Sequence, residues 1–272
     1  MSAQPGVPPY FDGLIAAFWQ GQAGRFVHLG CWDQPPAASA LRAPGAFEQA
    51  QQRLNGRLLD LAELADGQTV LDVGCGFGGT LAAVDGPWRQ MSLIGLNIDP
   101  RQLEVCASLR PAAGNTMHWL VADACALPLA DASVDRLLCF EAMFHFASRR
   151  RFFAEAARVL VPGGLLVASD IELALPDEAA GGAPALRRAI VDGFGPWPDL
   201  DGADTDHQAL AAAAGLQLTR CVDATSATLP SHVFTSPASG TARNPIGRAA
   251  AALAALHHAG RLHYELLQCR RP

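Results

Sequence analysis

A glycine-rich loop directly after an apolar stretch is the clearest chemical signal in the sequence. It reads Val70-Leu-Asp72-Val-Gly74-Cys-Gly76-Phe-Gly78-Gly79 and leads into a segment of helical character. Glycine lets the backbone approach a ligand closely, and the N-terminus of the following helix offers free N–H groups. The spacing also satisfies the GxGxxG pattern of dinucleotide-binding loops. Asp72, however, would repel a pyrophosphate, and its carboxylate suits the ammonium group of an amino-acid ligand.

Polar residues follow the next predicted strands in order along the chain. Asn97-Ile-Asp99 comes after the second strand, and Ala122-Asp123-Ala124 comes after the third. Ligands of open α/β sheets bind at the carboxyl ends of the strands, so these residues belong to the same predicted site as the glycine loop. Asp99 precedes Pro100 and is expected to cap the helix that starts there rather than to bind a ligand.

The elements that would position these residues are short apolar runs alternating with helix-length segments. This alternation is typical of a parallel sheet that helices cover on both faces. The predicted strands are Thr69–Val73, Ser92–Ile98, His118–Ala122, Asp135–Phe140, Leu165–Ser169, Leu216–Asp223 and Leu262–Cys269. A helix with one apolar face is predicted ahead of them, from Phe47 to Ala65. The fold class is therefore α/β, with a doubly wound, seven-stranded, mostly parallel sheet.

Two segments lie outside this alternation. Residues 1–45 are punctuated by prolines and hold an aromatic patch from Tyr10 to Trp19; we expect them to be irregular and to pack on the domain as a lid. Residues 171–204 are rich in proline and glycine and are predicted to form a cap insertion over the edge of the site. The chain is thus divided into a lid, residues 1–45, and one domain, residues 46–272.

The motifs and their order resemble those of class I S-adenosylmethionine-dependent methyltransferases over about residues 47–225, including Arg158-Val-Leu-Val-Pro-Gly-Gly164 before the fifth strand. The resemblance implies a Rossmann-like methyltransferase fold, with S-adenosylmethionine as the cofactor and S-adenosylhomocysteine as its product. It implies that Asp72, Gly74 and the backbone at Gly76 hold the methionine part of the cofactor.

The same resemblance extends to the rest of the cofactor. Asn97 stands where the family normally has an acid that binds the ribose hydroxyls, and Gln102 would assist it. Asp123 would accept from the adenine amino group, with the N–H of Ala124 on the ring. The Asn at position 97 is a departure from the family pattern, although an amide can still form hydrogen bonds with a diol.

Glu141, His145 and Asp170 follow the fourth and fifth strands, where an acceptor would bind. Their surroundings resemble natural-product O-methyltransferases acting on sugars or polyketides, in which the matching His and Asp are the catalytic pair. Because an imidazole titrates near about pH 6.5, we expect His145 to act as the general base for a hydroxyl acceptor. Asp170 would orient that imidazole or bind the acceptor, and Glu141 would contact the cofactor or the acceptor.

The segment His28-Leu-Gly-Cys-Trp32-Asp33 resembles the lid motif of small-molecule methyltransferases, with Cys31 in place of the usual Tyr. His28 and Trp32 are therefore candidate lid residues facing the substrate. Structural alternatives stay open for these positions. His145 lies between two phenylalanines and could be a core histidine, Asp170 could cap the next segment, and His28 and Trp32 could simply anchor the N-terminus.

Several functions remain open beside O-methylation. C-methylation of a prenyl or aromatic carbon would use Glu141 or aromatic rings to steady a developing cation, and an amine acceptor would need little help from a base. A nicotinamide-dependent dehydrogenase would use the GxGxxG pattern but would leave Asp72 and Asp123 unexplained. A non-catalytic cofactor-binding protein would keep the glycine loop without an acceptor site.

The composition indicates a globular protein and argues against a nucleic-acid partner. Half of the 272 residues are hydrophobic, and the formal net charge is −6. Seven cysteines without a CxxC pair favour a reducing compartment, and no apolar run reaches the ~18–20 residues that span a bilayer. We therefore expect a cytoplasmic enzyme with a small-molecule acceptor, without a metal, nucleic-acid or membrane partner. The sequence leaves a homodimer open.

Overall fold

The computed structural model describes residues 7–32, 36–112, 114–176, 183–200, 202, 205–236 and 244–272. The α-helices are α1 (Phe11–Trp19), α2 (Ala38–Leu41), α3 (Ala46–Leu61), α4 (Gly79–Asp85), α5 (Pro100–Cys106), α6 (Arg149–Val159), α7 (Ala183–Phe194), α8 (His207–Ala213), α9 (Thr225–Thr228), α10 (His232–Thr235) and α11 (Pro245–His258). The strands are β1 (Thr69–Val73), β2 (Ser92–Asn97), β3 (Thr116–Val121), β4 (Val134–Phe140), β5 (Leu160–Leu173), β6 (Gln217–Asp223) and β7 (Leu262–Arg270). Short 3-10 turns cover Met143–His145 and Leu229–Ser231.

The seven strands form one sheet in the order β3-β2-β1-β4-β5-β7-β6. Strands β1 to β5 pair in parallel, and β7 runs antiparallel to both of its neighbours. The strand order reverses between β1 and β4, which creates a crevice at their carboxyl ends where such sheets bind ligands. The predicted doubly wound, mostly parallel sheet is confirmed.

Apolar side chains cover both faces of the sheet. On one face, Leu54 and Leu58 of α3 pack in the same cluster as Val70 of β1. On the other face, Phe152 of α6 packs in a cluster with Leu71 of β1. Because the central strands are buried on both sides, their sequences are nearly continuous apolar runs, which is why the sequence predicts them well.

Strand β5 is longer than the sequence predicts. It continues past Asp170 to Leu173, because these residues pair in register with β7 from Glu265 back to Leu262. Residues 171–173 therefore belong to the sheet, whereas the sequence places the start of the cap insertion at 171. Farther along the insertion, α7 packs against α11.

The N-terminal segment is partly helical, whereas the sequence predicts an irregular one. Helices α1 and α2 lie within it, and residues 28–32 run along α3. The N–H of Cys31 donates to the carbonyl of Ala50 at 2.8 Å, and the N–H of Trp32 donates to the carbonyl of Ala227 at 2.9 Å. These hydrogen bonds tie the segment to two separate elements of the domain.

The longest described helix, α3, has 16 residues. None of the described helices combines enough length with enough apolar character to cross a membrane.

Candidate active site

A cavity of about 400 Å³ lies at the carboxyl ends of β1 to β4. Each of these strands contributes lining residues from its end or from the loop after it: Gly74, Gly76, Asn97, Asp123, Glu141 and His145. The opposite wall comes from Pro8, Tyr10 and Phe11, and from Pro196 and Pro198 in residues 195–200, named the cap loop. A smaller cavity lies at the base of the glycine loop, lined by residues that include Asp72 and His28.

Gly74 and Gly76 are required for the loop after β1 to form. Both have positive φ angles, 76° and 53°, which favour glycine. A Cβ on Gly74 would lie 2.5 Å from the Cβ of Ala142, and a Cβ on Gly76 would lie 3.0 Å from Cγ2 of Val27. The N–H of Gly74 donates to the carbonyl of Leu96 at 2.8 Å. The loop is therefore fixed against β2 and leaves its backbone on the wall of the cavity.

Asp72 and His28 line the smaller cavity together with the polar side chains of Arg25 and Thr80. Burial raises the pKa of Asp72 to about 7, because the carboxylate loses its hydration. Nδ1 of His28 lies 2.7 Å from the carbonyl of Leu29 and must carry the proton, since a carbonyl only accepts. Burial lowers the pKa of His28 to about 4, so Nε2 keeps a lone pair, and it has no partner among the described residues. A carboxyl group and an unprotonated imidazole nitrogen together suit an ammonium group.

Asn97 and Gln102 form an amide pair on the wall of the main cavity. Nδ2 of Asn97 donates to Oε1 of Gln102 at 3.1 Å, and the N–H of Asp99 donates to Oδ1 of Asn97 at 3.3 Å. Nε2 of Gln102 is buried, and no partner for it lies within the described part of the chain. Asn97 thus orients Gln102, whose N–H groups can donate to a ligand hydroxyl.

Asp123 and Ala124 line the cavity at the end of β3. Oδ1 of Asp123 accepts from the N–H of Cys125 at 2.8 Å, which fixes the orientation of the carboxylate. The group is therefore held where it can accept a hydrogen bond from a ligand amino group. As predicted, Asp99 caps α5: its side chain accepts from the N–H of Arg101 at 3.0 Å.

His145 is held by hydrogen bonds to both ring nitrogens. Nδ1 lies 3.0 Å from the carbonyl of Pro196, and Nε2 lies 3.1 Å from the hydroxyl of Tyr10. Since the carbonyl only accepts, Nδ1 carries the proton and Nε2 accepts from Tyr10. Burial lowers the pKa of His145 to about 4. The imidazole is therefore neutral near pH 7, with the lone pair of Nε2 directed at a hydroxyl group in the cavity.

Glu141 connects three parts of the chain at the edge of the cavity. Its Oε2 accepts from the N–H of Leu29 at 2.9 Å and from the hydroxyl of Tyr264 at 2.8 Å. Its own N–H donates to Oγ of Ser169 at 2.9 Å. Its φ of 51° is strained for a residue other than glycine. Burial raises the pKa of Glu141 to about 7, although the two hydrogen bonds to its carboxylate oppose this shift.

Asp170 lies in a buried ion network and is not among the residues that line the cavity. It pairs with Nε of Arg149 at 2.7 Å and with Nε2 of His207 at 3.0 Å, and its side chain is fully buried. Nδ1 of His207 lies 3.0 Å from Glu265 and 3.2 Å from Glu172. The structure therefore does not bring Asp170 to His145, because two buried cations engage its carboxylate.

The charges of this network support one another. Burial disfavours the cationic form of His207, yet hydrogen bonds to Asp170 and Glu265 raise its pKa to about 9. Burial also opposes ionisation of Asp170, but His207 and Arg149 lower the pKa of that carboxyl below its usual value. His207 is thus an imidazolium whose two N–H groups donate to carboxylates on β5 and β7.

Of the two predicted lid residues, only His28 reaches the cavities. Trp32 does not line either of the two cavities described; its Nε1 donates to Oγ of Ser231 at 3.2 Å, and its ring stacks on Phe234. Conversely, Tyr10 contacts His145, although the sequence pattern shows only an aromatic patch there. The two residues are 135 positions apart, so no local pattern could reveal the contact.

The residues present fit S-adenosylmethionine. Two buried polar atoms, Nε2 of His28 and Nε2 of Gln102, lack partners among the described residues and belong to side chains that line the cavity. Asp72 and His28 would hold the ammonium group, Gln102 would donate to the ribose diol, and Asp123 would accept from the adenine amino group. Gly74 and Gly76 line the cavity without side chains, so a ligand can contact the backbone of the glycine loop.

Comparisons relate the chain to known proteins. The family described as "Methyltransferase domain" matches residues 71–168. Methyltransferase GfsG from Streptomyces halstedii is 32% identical over 220 residues, which cover 78% of this chain and 73% of that protein. The 27-O-demethylrifamycin SV methyltransferase from Amycolatopsis mediterranei is 31% identical over 224 residues, covering 81% of this chain and 76% of that protein.

A solved structure shares the fold. The crystal structure of geranyl diphosphate C-methyltransferase from Streptomyces coelicolor, in complex with Mg²⁺, geranyl diphosphate and S-adenosyl-L-homocysteine, matches with a TM-score of 0.68. The match covers 100% of both chains at 17% sequence identity. At this identity the likeness concerns the fold alone.

Proposed function

The chain belongs to the S-adenosylmethionine-dependent methyltransferases that act on small molecules, and from that premise we propose that it methylates a hydroxyl group with His145 as the general base. The acceptor of this proposal is an uncharged secondary metabolite. In this proposal the described residues 7–32 of the N-terminal segment form a lid, and the cap loop forms another part of the cavity wall.

The observation that carries the proposal is the state of His145. Its Nδ1 proton is committed to the carbonyl of Pro196, and its Nε2 already accepts a hydrogen bond from a hydroxyl group, that of Tyr10. An acceptor hydroxyl that took the place of the Tyr10 hydroxyl could donate its hydrogen bond to Nε2 of His145. A neutral imidazole in this orientation has the lone pair that a general base requires, but burial lowers its pKa to about 4, so it is a weaker base than the ordinary pKa of 6.5 leads one to expect.

The chemistry needs a single proton transfer by the protein. When bound, the cofactor supplies an electrophilic methyl group on a positively charged sulfur. His145 would take the hydroxyl proton at Nε2 and so free an electron pair of the acceptor oxygen for the methyl group. The imidazolium that results is stabilised by its remaining hydrogen bond from Nδ1 to Pro196. Proton removal of this kind typically accelerates a reaction by about 10²–10⁴-fold.

The lining of the cavity supports an uncharged acceptor. Around Tyr10 and His145 it is made of apolar and aromatic groups: Pro8, Phe11, Phe140, Phe146, Pro196 and Pro198. Among the described lining residues there is no lysine or arginine, so nothing would compensate a buried phosphate or carboxylate. The relative from Amycolatopsis mediterranei is named for an O-demethyl compound, which agrees with an oxygen acceptor.

C-methylation is less well supported. It would use Glu141 to steady a cation that develops on the acceptor. The Glu141 carboxylate instead accepts from Leu29 and Tyr264, which commits it to holding the N-terminal segment on the domain.

The experiment that tests the proposal replaces the base. We expect His145→Ala to lower the rate of methyl transfer by about 10²–10⁴-fold while its affinity for S-adenosylhomocysteine changes little. Rates follow the methylated product from labelled S-adenosylmethionine, and affinities come from calorimetric titration. His258→Ala is the matched control, because His258 is an exposed histidine at the end of α11. Full activity of His145→Ala on its acceptor would overturn the assignment of the base.

A further inference from the structure

The cap loop supplies the hydrogen bond that fixes the tautomer of His145. Pro196 and Pro198 line the cavity, and the carbonyl of Pro196 accepts from Nδ1 of His145 at 3.0 Å. In a neutral imidazole, a proton on Nδ1 leaves the lone pair on Nε2. If the Pro196 carbonyl moved away, the proton could shift to Nε2, and that nitrogen could no longer act as a base.

A partly buried ion pair holds the same loop. Nη1 of Arg149 lies 2.9 Å from Oδ2 of Asp199, three residues after Pro196. Arg149 is the first residue of α6, four residues after His145, and only 1% of its side chain is exposed. Two contacts therefore join the cap loop to the segment 145–149. His145 contacts Pro196 at one end of these segments, and Arg149 contacts Asp199 at the other.

The other side of Arg149 is rigidly anchored. Its Nε and Nη2 donate to the two oxygens of Asp170, at 2.7 and 3.1 Å. Asp170 in turn accepts from the buried imidazolium of His207. The two hydrogen bonds to Asp170 fix the orientation of the planar guanidinium group. Its third nitrogen, Nη1, therefore points in one direction and defines where the Asp199 carboxylate must lie.

Apolar packing alone does not define this position. The ring of Trp197 stacks on Phe144 with centroids 4.3 Å apart, and Leu200 is buried. These contacts keep the loop on the domain, but burial is non-directional, and a ring can slide on its neighbour at low cost. Gly195, with a φ of 82°, lets the chain leave α7 and turn into the loop. A directional contact is needed to hold the Pro196 carbonyl on Nδ1.

We propose that Asp199 is a positioning residue: through Arg149 it holds the cap loop so that the Pro196 carbonyl keeps the His145 proton on Nδ1 and Nε2 free for the acceptor. This inference rests on the proposed role of His145 for its effect on the reaction rate. Its effect on the tautomer is independent of that role.

The test replaces Asp199, because removing Arg149 would leave Asp170 and His207 without a partner and could unfold the protein. Side-chain nitrogen spectra of histidine-labelled protein report the tautomer directly, and His145→Gln identifies the signals of His145. We expect only the Nδ1–H form in the wild type and a mixture of tautomers in Asp199→Ala. The turnover number should fall by about three- to thirtyfold, as for the loss of one hydrogen bond, with unchanged affinity for S-adenosylhomocysteine.

Two further variants sharpen the result. Asp199→Asn keeps an oxygen that can accept from Arg149, so we expect it to restore most of the Nδ1–H form and of the rate. Asp192→Ala is the matched control, because Asp192 lies on α7 of the same insertion and its 3.9 Å pair with Arg188 is exposed. It should match the wild type in both measurements.

The outcomes separate the two proposals. Unchanged His145 signals in Asp199→Ala would overturn the positioning role, whatever the rate. A tautomer shift in Asp199→Ala supports the positioning role even if His145→Ala proves fully active, and in that case only the general-base assignment fails.

Discussion

At the scale of single residues, the smaller cavity holds the Asp72 carboxyl group, whose ionised form is disfavoured by burial. Burial raises the pKa of Asp72 to about 7, and His28 in the same small cavity is neutral. An ammonium group bound there would favour the ionised carboxylate, so binding and ionisation are linked. Below its pKa, Asp72 must first lose a proton before it can pair with the ligand.

We therefore predict that the affinity for S-adenosylhomocysteine falls as the pH is lowered through about 7. Above that value Asp72 is ionised and the affinity should level off. Calorimetric titrations at a series of pH values measure the effect. Asp72→Asn should bind far more weakly and lose this dependence. If the affinity of the wild type does not change with pH, the prediction is wrong. If Asp72→Asn keeps the pH dependence of the wild type, the titrating group is Glu141, whose pKa is also raised to about 7, and not Asp72.

The sequence predicts the cofactor side of the cavity better than the acceptor side. Gly74, Asn97 and Asp123 follow consecutive strands, so local patterns and the rule for strand ends are enough to bring them together. Asp170 also ends a predicted run, but its position is decided by Arg149 and His207, which are 21 and 37 residues away. Such pairings depend on tertiary packing and leave no local pattern.

At the scale of elements, a buried ion network joins β5, α6, α8 and β7. Arg149, Asp170, His207 and Glu265 each come from a different one of these elements. Buried charges of this kind are costly unless every partner is present, so the network specifies how the elements meet. The long β5 and its register with β7 are part of the same arrangement, and the sequence does not reveal them because the run after Asp170 is short.

The network should make stability depend on pH through His207. Its folded-state pKa is raised to about 9, so its contribution is complete below the ordinary value of 6.5 and is lost as the pH rises through 9. We expect that contribution to be on the order of 2–3 kcal/mol in the free energy of unfolding. Urea unfolding of the wild type and of His207→Gln measures it.

The difference in stability between the two proteins is the quantity to compare. Burial raises the pKa of Cys139 and Cys269 in the folded protein, so these thiols ionise in the unfolded chain over the same interval and lower the stability of both proteins alike. The wild type should be more stable than His207→Gln at about pH 6, and the gap should narrow towards about pH 9.5. A gap that stays constant or widens over this interval would show that His207 is not the imidazolium of the network.

At the scale of the whole molecule, the net charge of the chain and the lining of the cavity both support the proposed uncharged acceptor. The chain carries a net charge of −6, and the described lining of the main cavity contains aromatic rings and prolines but no lysine or arginine. An uncharged molecule with a hydroxyl group meets both conditions, whereas a phosphorylated acceptor meets neither. The N-terminal segment contributes Tyr10 and the mid-chain cap loop contributes Pro196, so His145 is contacted by two segments that lie outside the sheet.

The identity of the atom that receives the methyl group tests this account most directly. The protein is incubated with S-adenosylmethionine carrying a carbon-13 methyl group and with uncharged hydroxylated polyketide and sugar acceptors, and the product is examined by carbon NMR. O-methylation with His145 as the base predicts a new signal in the range of methyl ethers, which should be nearly abolished in His145→Ala. A signal in the range of methyl groups bound to nitrogen or carbon would contradict it.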